Sequence, residues 1–222
     1  MSKKNGRSFK EIIKEFKNDQ IITYDLLPTI NIYFPKTNNV NKLQITKEGI
    51  YSTSLPSVMN EIINIIEKDI NQKLNTLIIT DATANVGGSV INFILKAKFV
   101  NAIEIDSFTC KVLQHNISLY DKQNVKVYCE DYTKIMNKLT QDIVFIDPPW
   151  GGIDYGHVKK LNLELSGISL SDIVNNLKNK TKLVVLKVPF NFDIESFTKN
   201  NKFGKLKEYK LKKFIILTLL SG

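Results

Sequence analysis

One tryptophan, two histidines and two cysteines occur among 222 residues, and Arg7 is the only arginine. Cys110 and Cys129 are too few for a disulfide framework, have no metal-ligand spacing, and read as core residues. With only two histidines to join them, no metal site is expected. Nowhere do about 18 apolar residues follow one another, so no membrane span is expected, and the start lacks the apolar run of a secretory leader. These absences point to an intracellular protein, cytoplasmic or nuclear and not secreted, in a reducing compartment, and expected to be a monomer. No internal repeat or low-complexity tract stands out.

What is abundant is lysine. Lys and Arg outnumber Asp and Glu by 31 to 22, a formal charge of +9, which favours polyanionic partners such as nucleic acid. The length suffices for one well-buried domain with a small appendage. Residues 1–54 read as an N-terminal extension and substrate lid, and 55–222 as the main domain. Within the extension, Phe9, Ile12, Ile13 and Phe16 have helical spacing. Residues 21–54 are irregular, broken by Pro28, Pro35 and Gly49, with Tyr24, Tyr33, Phe34, Lys36, Lys42, Lys47 and Tyr51 interleaved. Long loops of that kind are often functional, and a lid is expected.

From Ser57 the pattern is regular. Met59, Ile62, Ile63, Ile66 and Ile70 share one helical face. Strands are predicted over 77–80, 100–105, 125–129, 143–147, 182–188, 206–211 and 214–220, with helices over 89–98 and 108–120 and another, capped by Ser171, to about 178. Continuous apolar strands alternating with helices indicate a parallel sheet covered on both faces.

Asp81, Asp106, Asp131 and Asp147 each close a predicted strand, at the sheet edge where ligands bind in open α/β folds. Asp81-Ala82-Thr83-Ala84-Asn85-Val86-Gly87-Gly88 is a strand–loop–helix turn, and Thr83, Asn85 and Gly87 are its cofactor-binding candidates. Asp106 is placed to accept from two ribose hydroxyls, and Asp131 from an adenine amine with Tyr132 beside the base. The loop lacks the G-x-G-x-x-G pattern for pyrophosphate and starts with an acid. A ligand with a cationic centre and no phosphates fits it, which is the chemistry of S-adenosylmethionine.

The most distinctive stretch is Asp142 to Gly152. A buried strand runs into Asp147-Pro148-Pro149-Trp150-Gly151-Gly152. Each proline fixes φ and removes a donor, and the residue before a proline is held extended. Asp147 and the Pro148 carbonyl are thereby two fixed acceptors, suited to the two protons of a nucleobase amine. Trp150 offers a π face for stacking.

Those residues resemble the trimethylguanosine synthases. The likeness runs from about Lys47 to the C-terminus: Lys47 to Ser54, the glycine loop, Ala102-Ile103-Glu104-Ile105-Asp106, Asp131, Pro148-Pro149-Trp150-Gly151-Gly152 with Asp154-Tyr155, and Val188 to Asp193. It implies a Rossmann-like methyltransferase fold with a mostly parallel seven-stranded sheet. It also implies S-adenosylmethionine as methyl donor, a 7-methylguanosine RNA cap as substrate, and one or two methyls on guanine N2. By the same likeness Asp147, Pro148 and Pro149 are catalytic, while Trp150, Tyr51, Ser52, Tyr155, Asn191, Phe34 and Lys36 bind substrate. The family's usual glycine is Asn85 here, and its usual serine is Asp147. Asp at that position also suits an amino-methyltransferase acting on adenine N6 or on a ribosomal guanine N2. A third possibility is a non-catalytic cap-binding or polymerase-accessory module, for which the acids would be dispensable.

Overall fold

Apolar runs closed by an acid become strands, and the stripes between them helices, in the computed structural model, which describes residues 13–152 and 155–221. In chain order the elements are β1 (Ile22–Thr23), β2 (Gln44–Ile45), α1 (Lys47–Ser52), α2 (Pro56–Ile70), β3 (Ile78–Asp81), α3 (Gly88–Ile94) and β4 (Phe99–Ile103). There follow α4 (Ser107–Ser118), β5 (Val125–Tyr128), α5 (Tyr132–Ile135), β6 (Ile143–Ile146), β7 (Glu164–Leu165), β8 (Ile168–Ser169) and α6 (Leu170–Asn176). The last are β9 (Leu183–Val188), α7 (Ile194–Asn200), β10 (Gly204–Lys210) and β11 (Ile215–Ser221). Arg7, Phe9, Ile12 and Asp154 lie outside the described residues.

Seven strands form one sheet in the order β10-β11-β9-β6-β3-β4-β5. Only β11 runs against its neighbours; the other pairings are parallel. This is the Rossmann-like methyltransferase arrangement expected above. The chain builds outward from β3 to β5, then returns to β6 on the other side of β3. Strand order reverses between β3 and β6, at the carboxyl edge where open α/β sheets bind ligands.

Every residue of β6 and β9 is buried, as strands covered on both faces require. Helices α2, α3 and α4 pack on one face and α6 and α7 on the other, giving two apolar clusters. Asp69 of α2 crosses the first cluster to the far hairpin, accepting from Lys207 Nζ (2.5 Å), Tyr209 Oη (2.7 Å) and Thr218 Oγ1 (2.5 Å). Burial alone would raise its pKa, but those donors outweigh it and hold the carboxyl below its ordinary range.

Residues 21–54 are irregular but packed on the domain: Ile22, Leu27, Ile30, Tyr33, Phe34, Leu43, Ile45 and Ile50 are buried in the same cluster as α2 and the sheet. Their apolar content is stabilised by that burial, at about 1.5–3 kcal/mol for each large side chain. Asn116 fastens the layer, accepting from Gln44 N (3.0 Å) and donating to Gln44 O and Val86 O (2.8 Å each). Cys110 and Cys129 are joined in a disulfide rather than standing as separate core thiols. Ser169, not Ser171, caps α6, and α7, capped by Asp193, was not anticipated. Among the described residues no helix is long and apolar enough to cross a membrane, and no group of three His, Cys, Asp or Glu could hold a metal ion.

Candidate active site at the sheet edge

The parallel ladder brings Asp147 and Asp81 to adjoining strand ends. Phe145 O accepts from Ala82 N at 2.9 Å, and Asp147 N donates to Thr83 Oγ1 at 2.9 Å. Thr83 N in turn donates to Asp81 Oδ1 at 3.2 Å, and Ser89 Oγ donates to Asp81 Oδ2. Thr83 thus bridges the two acids. Asp81 is fully buried. Burial pushes its pKa up to about 7; the bonds from Ser89 and Thr83 oppose the rise, and the charges of Asp147 and Glu104 add to it.

Asp147 has a partner that sequence reasoning missed. Lys187 Nζ donates to Asp147 Oδ2 at 2.5 Å, the lysine side chain being 8% exposed and the aspartate side chain 20%. Burial raises the Asp147 pKa, and Lys187 works against that rise. The register places Lys187 one strand away, with Ile146 paired to Leu186. A lysine inside the otherwise apolar Leu183–Val188 run was the available signal, since an ammonium is buried there only with a counter-charge.

The turn after β3 carries Asn85 in a left-handed conformation, φ 47°, and Gly87 at φ 99°. Asn85 occupies that region at little cost for the reason asparagine usually can. Gly88 admits no side chain, because a Cβ there would sit 2.2 Å from Thr53 Cγ2. Ser52 Oγ accepts from Asn85 Nδ2 at 3.0 Å, so the end of α1 closes over this turn. Tyr51, next to Ser52, is exposed at the rim.

The acids of the cofactor side are redistributed. Asp106 is exposed and caps α4, accepting from Thr109 N at 2.7 Å. Glu104, two residues earlier and directly after β4, accepts from Asn85 N and Asp106 N at 2.8 Å each. Burial raises its pKa despite those bonds. Glu104 rather than Asp106 therefore faces the glycine turn. Asp131 caps α5, its Oδ1 accepting from Thr133 N (2.9 Å) and Thr133 Oγ1 (2.7 Å). Tyr132 is a core residue, 3% exposed and directed to Gln141 at 3.4 Å, and does not wall a base.

Trp150 is half-buried between the two clusters. Tyr155 meets it edge-on, ring centroids 5.0 Å apart at 79°, and Lys187 Nζ stands 5.4 Å from its ring centre. Its Nε1 is buried without a partner among the described residues. Asn191 holds the segment carrying Tyr155, donating to Tyr155 O (2.9 Å) and Val158 O (2.7 Å). Pro148 is buried and Pro149 exposed. Phe34 lies in the core, 3% exposed, and cannot cover a base. Lys36 is exposed on a segment tied to the end of α4, where Tyr120 Oη donates to Pro35 O at 2.6 Å and Thr37 Oγ1 to Leu119 O at 3.3 Å. It is not brought to Asp147.

The residues present fit an adenosyl ligand with a cationic centre. Among the described residues Thr53 Oγ1 and Ser54 Oγ are buried without partners beside the start of α3, and unpaired buried hydroxyls cost about 1–3 kcal/mol each unless a ligand satisfies them. Glu104 supplies a carboxylate of the kind ribose hydroxyls seek, and Asp81 one that a cation would keep ionised.

A family model described as RNA cap guanine-N2 methyltransferase matches residues 75–216. An uncharacterised protein of Acanthamoeba polyphaga mimivirus is 36% identical over 201 residues, covering 80% of this chain and 77% of its own length. The solved structure of the Thermus thermophilus 16S rRNA guanine-N2 methyltransferase, in complex with AdoMet and guanosine, superposes with a TM-score of 0.61 at 12% identity. That match covers 78% of this chain and 45% of the ribosomal enzyme, so the chain spans less than half of it. The magnesium protoporphyrin IX methyltransferase of Synechocystis, with bound SAM, gives a TM-score of 0.52 at 14% identity, covering 75% of this chain and 79% of its own. At such identities the likeness to solved structures is one of fold.

Proposed function

This chain belongs to the RNA cap guanine-N2 methyltransferase family, and from that premise we propose that it methylates the exocyclic N2 of a 7-methylguanosine RNA cap, with S-adenosylmethionine as donor. The observation that carries this reading is the end of β6. Asp147, fixed by Thr83 and Lys187, stands directly before two prolines and the one tryptophan of the chain.

S-adenosylmethionine, when bound, supplies an electrophilic methyl on a sulfonium. Glu104 would hold its ribose, Thr53 and Ser54 would satisfy its polar groups, and Asp81 would balance its positive charge. With Oδ2 taken by Lys187, Asp147 keeps Oδ1 for one N2 proton, and the Pro148 carbonyl accepts the other. The amine is thereby oriented, and catalysis is mainly positioning and electrostatics. As N2 gains the methyl it becomes acidic, and Asp147, whose pKa burial raises, is suited to receive the proton. Trp150, steadied edge-on by Tyr155, would bind the positively charged methylated ring by a cation–π contact.

The test is incubation with labelled S-adenosylmethionine and cap dinucleotide, with and without the N7 methyl. Label on the 7-methylated cap alone is the expected result. Label on neither cap, with transfer to adenine in DNA or to guanine in uncapped RNA, overturns the proposal in favour of another amine substrate.

A further inference from the structure

The edge that carries Asp147 continues into a basic and aromatic surface on the side of β9 and β11. Val188 pairs with Ile215, so the β10–β11 turn stands beside the end of β9. The turn is closed by Leu211 N donating to Phe214 O at 2.9 Å, with Lys212 and Lys213 exposed at its tip. Its last residue, Phe214, has its ring 5.0 Å from Lys187 Nζ, the group that grips Asp147. The turn is therefore one residue removed from the site. Just past β9, Phe190 is 55% exposed. The segment held by Asn191 brings Val158, 44% exposed, and Lys159 to the same neighbourhood.

The charges there are not internally balanced. Lys160 is engaged by Asp193 at 3.6 Å and Glu195 at 3.5 Å. Among the described residues Lys159, Lys212 and Lys213 have no such carboxylate. Unpaired ammonium groups around an exposed ring suit a polyanion that also offers free π faces. Single-stranded nucleic acid has both, whereas a duplex keeps its bases stacked inside.

We propose that this surface is the track for the unpaired RNA chain that follows the cap, its phosphates on Lys159, Lys212 and Lys213 and a base on Phe190. The proposal deepens the cap reading and rests on it for the direction in which the RNA enters.

The test uses fluorescence anisotropy with an unstructured, uncapped 5′-triphosphate RNA, alongside methylation of capped RNA and of cap dinucleotide. At a salt slope of about −0.7 per phosphate contact on single strands, a double variant Lys212→Gln with Lys213→Gln should bind the uncapped RNA roughly 25-fold more weakly at 0.1 M salt, with a slope shallower by about 1.4. Phe190→Ala should weaken it about fivefold or more. KM for capped RNA should rise at least tenfold more than KM for the dinucleotide. Unchanged RNA affinity and slope in variants with wild-type melting temperature overturns the track, as a surface for an acidic protein would predict. Equal loss on capped RNA and dinucleotide also overturns it, placing the lysines at the cap itself. Binding of uncapped RNA needs no cap activity, so a wild-type protein that methylates no cap would fail the functional proposal and still leave this readout decisive.

Discussion

Lys187 donates to Asp147 across 2.5 Å from inside a strand that is buried throughout. The same ammonium lies 5.4 Å from the Trp150 ring centre and 5.0 Å from that of Phe214. A cation with one carboxylate and two aromatic faces around it is held by electrostatics on every side.

Removing either partner leaves the other buried and uncompensated, which typically costs 3–5 kcal/mol. Lys187→Met is expected to destabilise by that order, and Asp147→Asn combined with it by less than the sum of the two, measurable as a double-mutant cycle in urea. Without Lys187, the group that opposes burial at the Asp147 carboxyl is gone, so its pKa rises further. The acidic limb of the kcat profile should then move to higher pH. An unmoved limb would show that Asp147 does not need to be ionised.

Asp81 gives a second pH signature. Its folded pKa, about 7, lies above the ordinary carboxylate value of roughly 3.9. The folded state therefore holds the proton more tightly. This group's stabilising contribution is full below about pH 4 and is lost as pH rises towards 7. Asp81→Asn should flatten stability over that interval. Binding of a cationic cofactor favours the ionised form, so below pH 7 it should release a proton. Calorimetry at pH 6 in two buffers of different ionisation heat should show that release in the wild-type protein and its absence in Asp81→Asn.

How much of this was legible in the sequence depended on the range of the interaction. The β6 run and its Asp147-Pro148-Pro149-Trp150 exit are local, and so is the left-handed turn at Asn85. Lys187 was invisible as a partner because its carboxylate lies 40 residues away in sequence and meets it only through the β6–β9 register. Tyr132 and Phe34 looked like ligand-facing aromatics because periodicity does not say which side of an irregular segment is covered; burial decided both. The disulfide between Cys110 and Cys129 joins the first turns of α4 to the chain just past β5, a proximity that follows from parallel strand pairing and not from spacing.

The hairpin anchor at Asp69 is independent of the site. Its side chain is 1% exposed and faces Lys207, Tyr209 and Thr218. Asp69→Ala should cost about 3 kcal/mol, or on the order of 6–12 °C in melting temperature for a chain of this size. Cofactor binding at a temperature where the variant is folded should be unaffected. Because the folded pKa is depressed, the network's contribution is present above the ordinary carboxylate range and is lost as pH falls through the folded value. The gap between variant and wild type should accordingly shrink in acid.

Trp150→Ala separates recognition from cofactor binding. A desolvated cation–π contact of about 2 kcal/mol corresponds to roughly 30-fold in affinity, so the variant should lose about that much for 7-methylated cap and little for unmethylated cap. Equal losses on both caps would assign the ring a packing role.

The contrast between Glu104 and Asp106 is the sharpest test of the cofactor side. Both carboxylates follow β4, but only Glu104 binds the backbone N–H of Asn85 in the glycine turn, at 2.8 Å. Asp106 is exposed and spends its oxygen on Thr109 N. Asparagine caps helices about as well as aspartate, so Asp106→Asn should leave both folding and cofactor affinity within a factor of about two. Glu104→Gln keeps the shape and removes the charge-assisted acceptor, and hydrogen bonds to charged groups contribute about 1.5–3 kcal/mol. Affinity for S-adenosylmethionine and for its demethylated product should both fall by about tenfold or more. Parallel loss is expected because the ribose is common to the two ligands, whereas a role at the methyl would weaken only one. If Asp106→Asn proved the more damaging, the ribose would belong to the helix cap and not to the strand end.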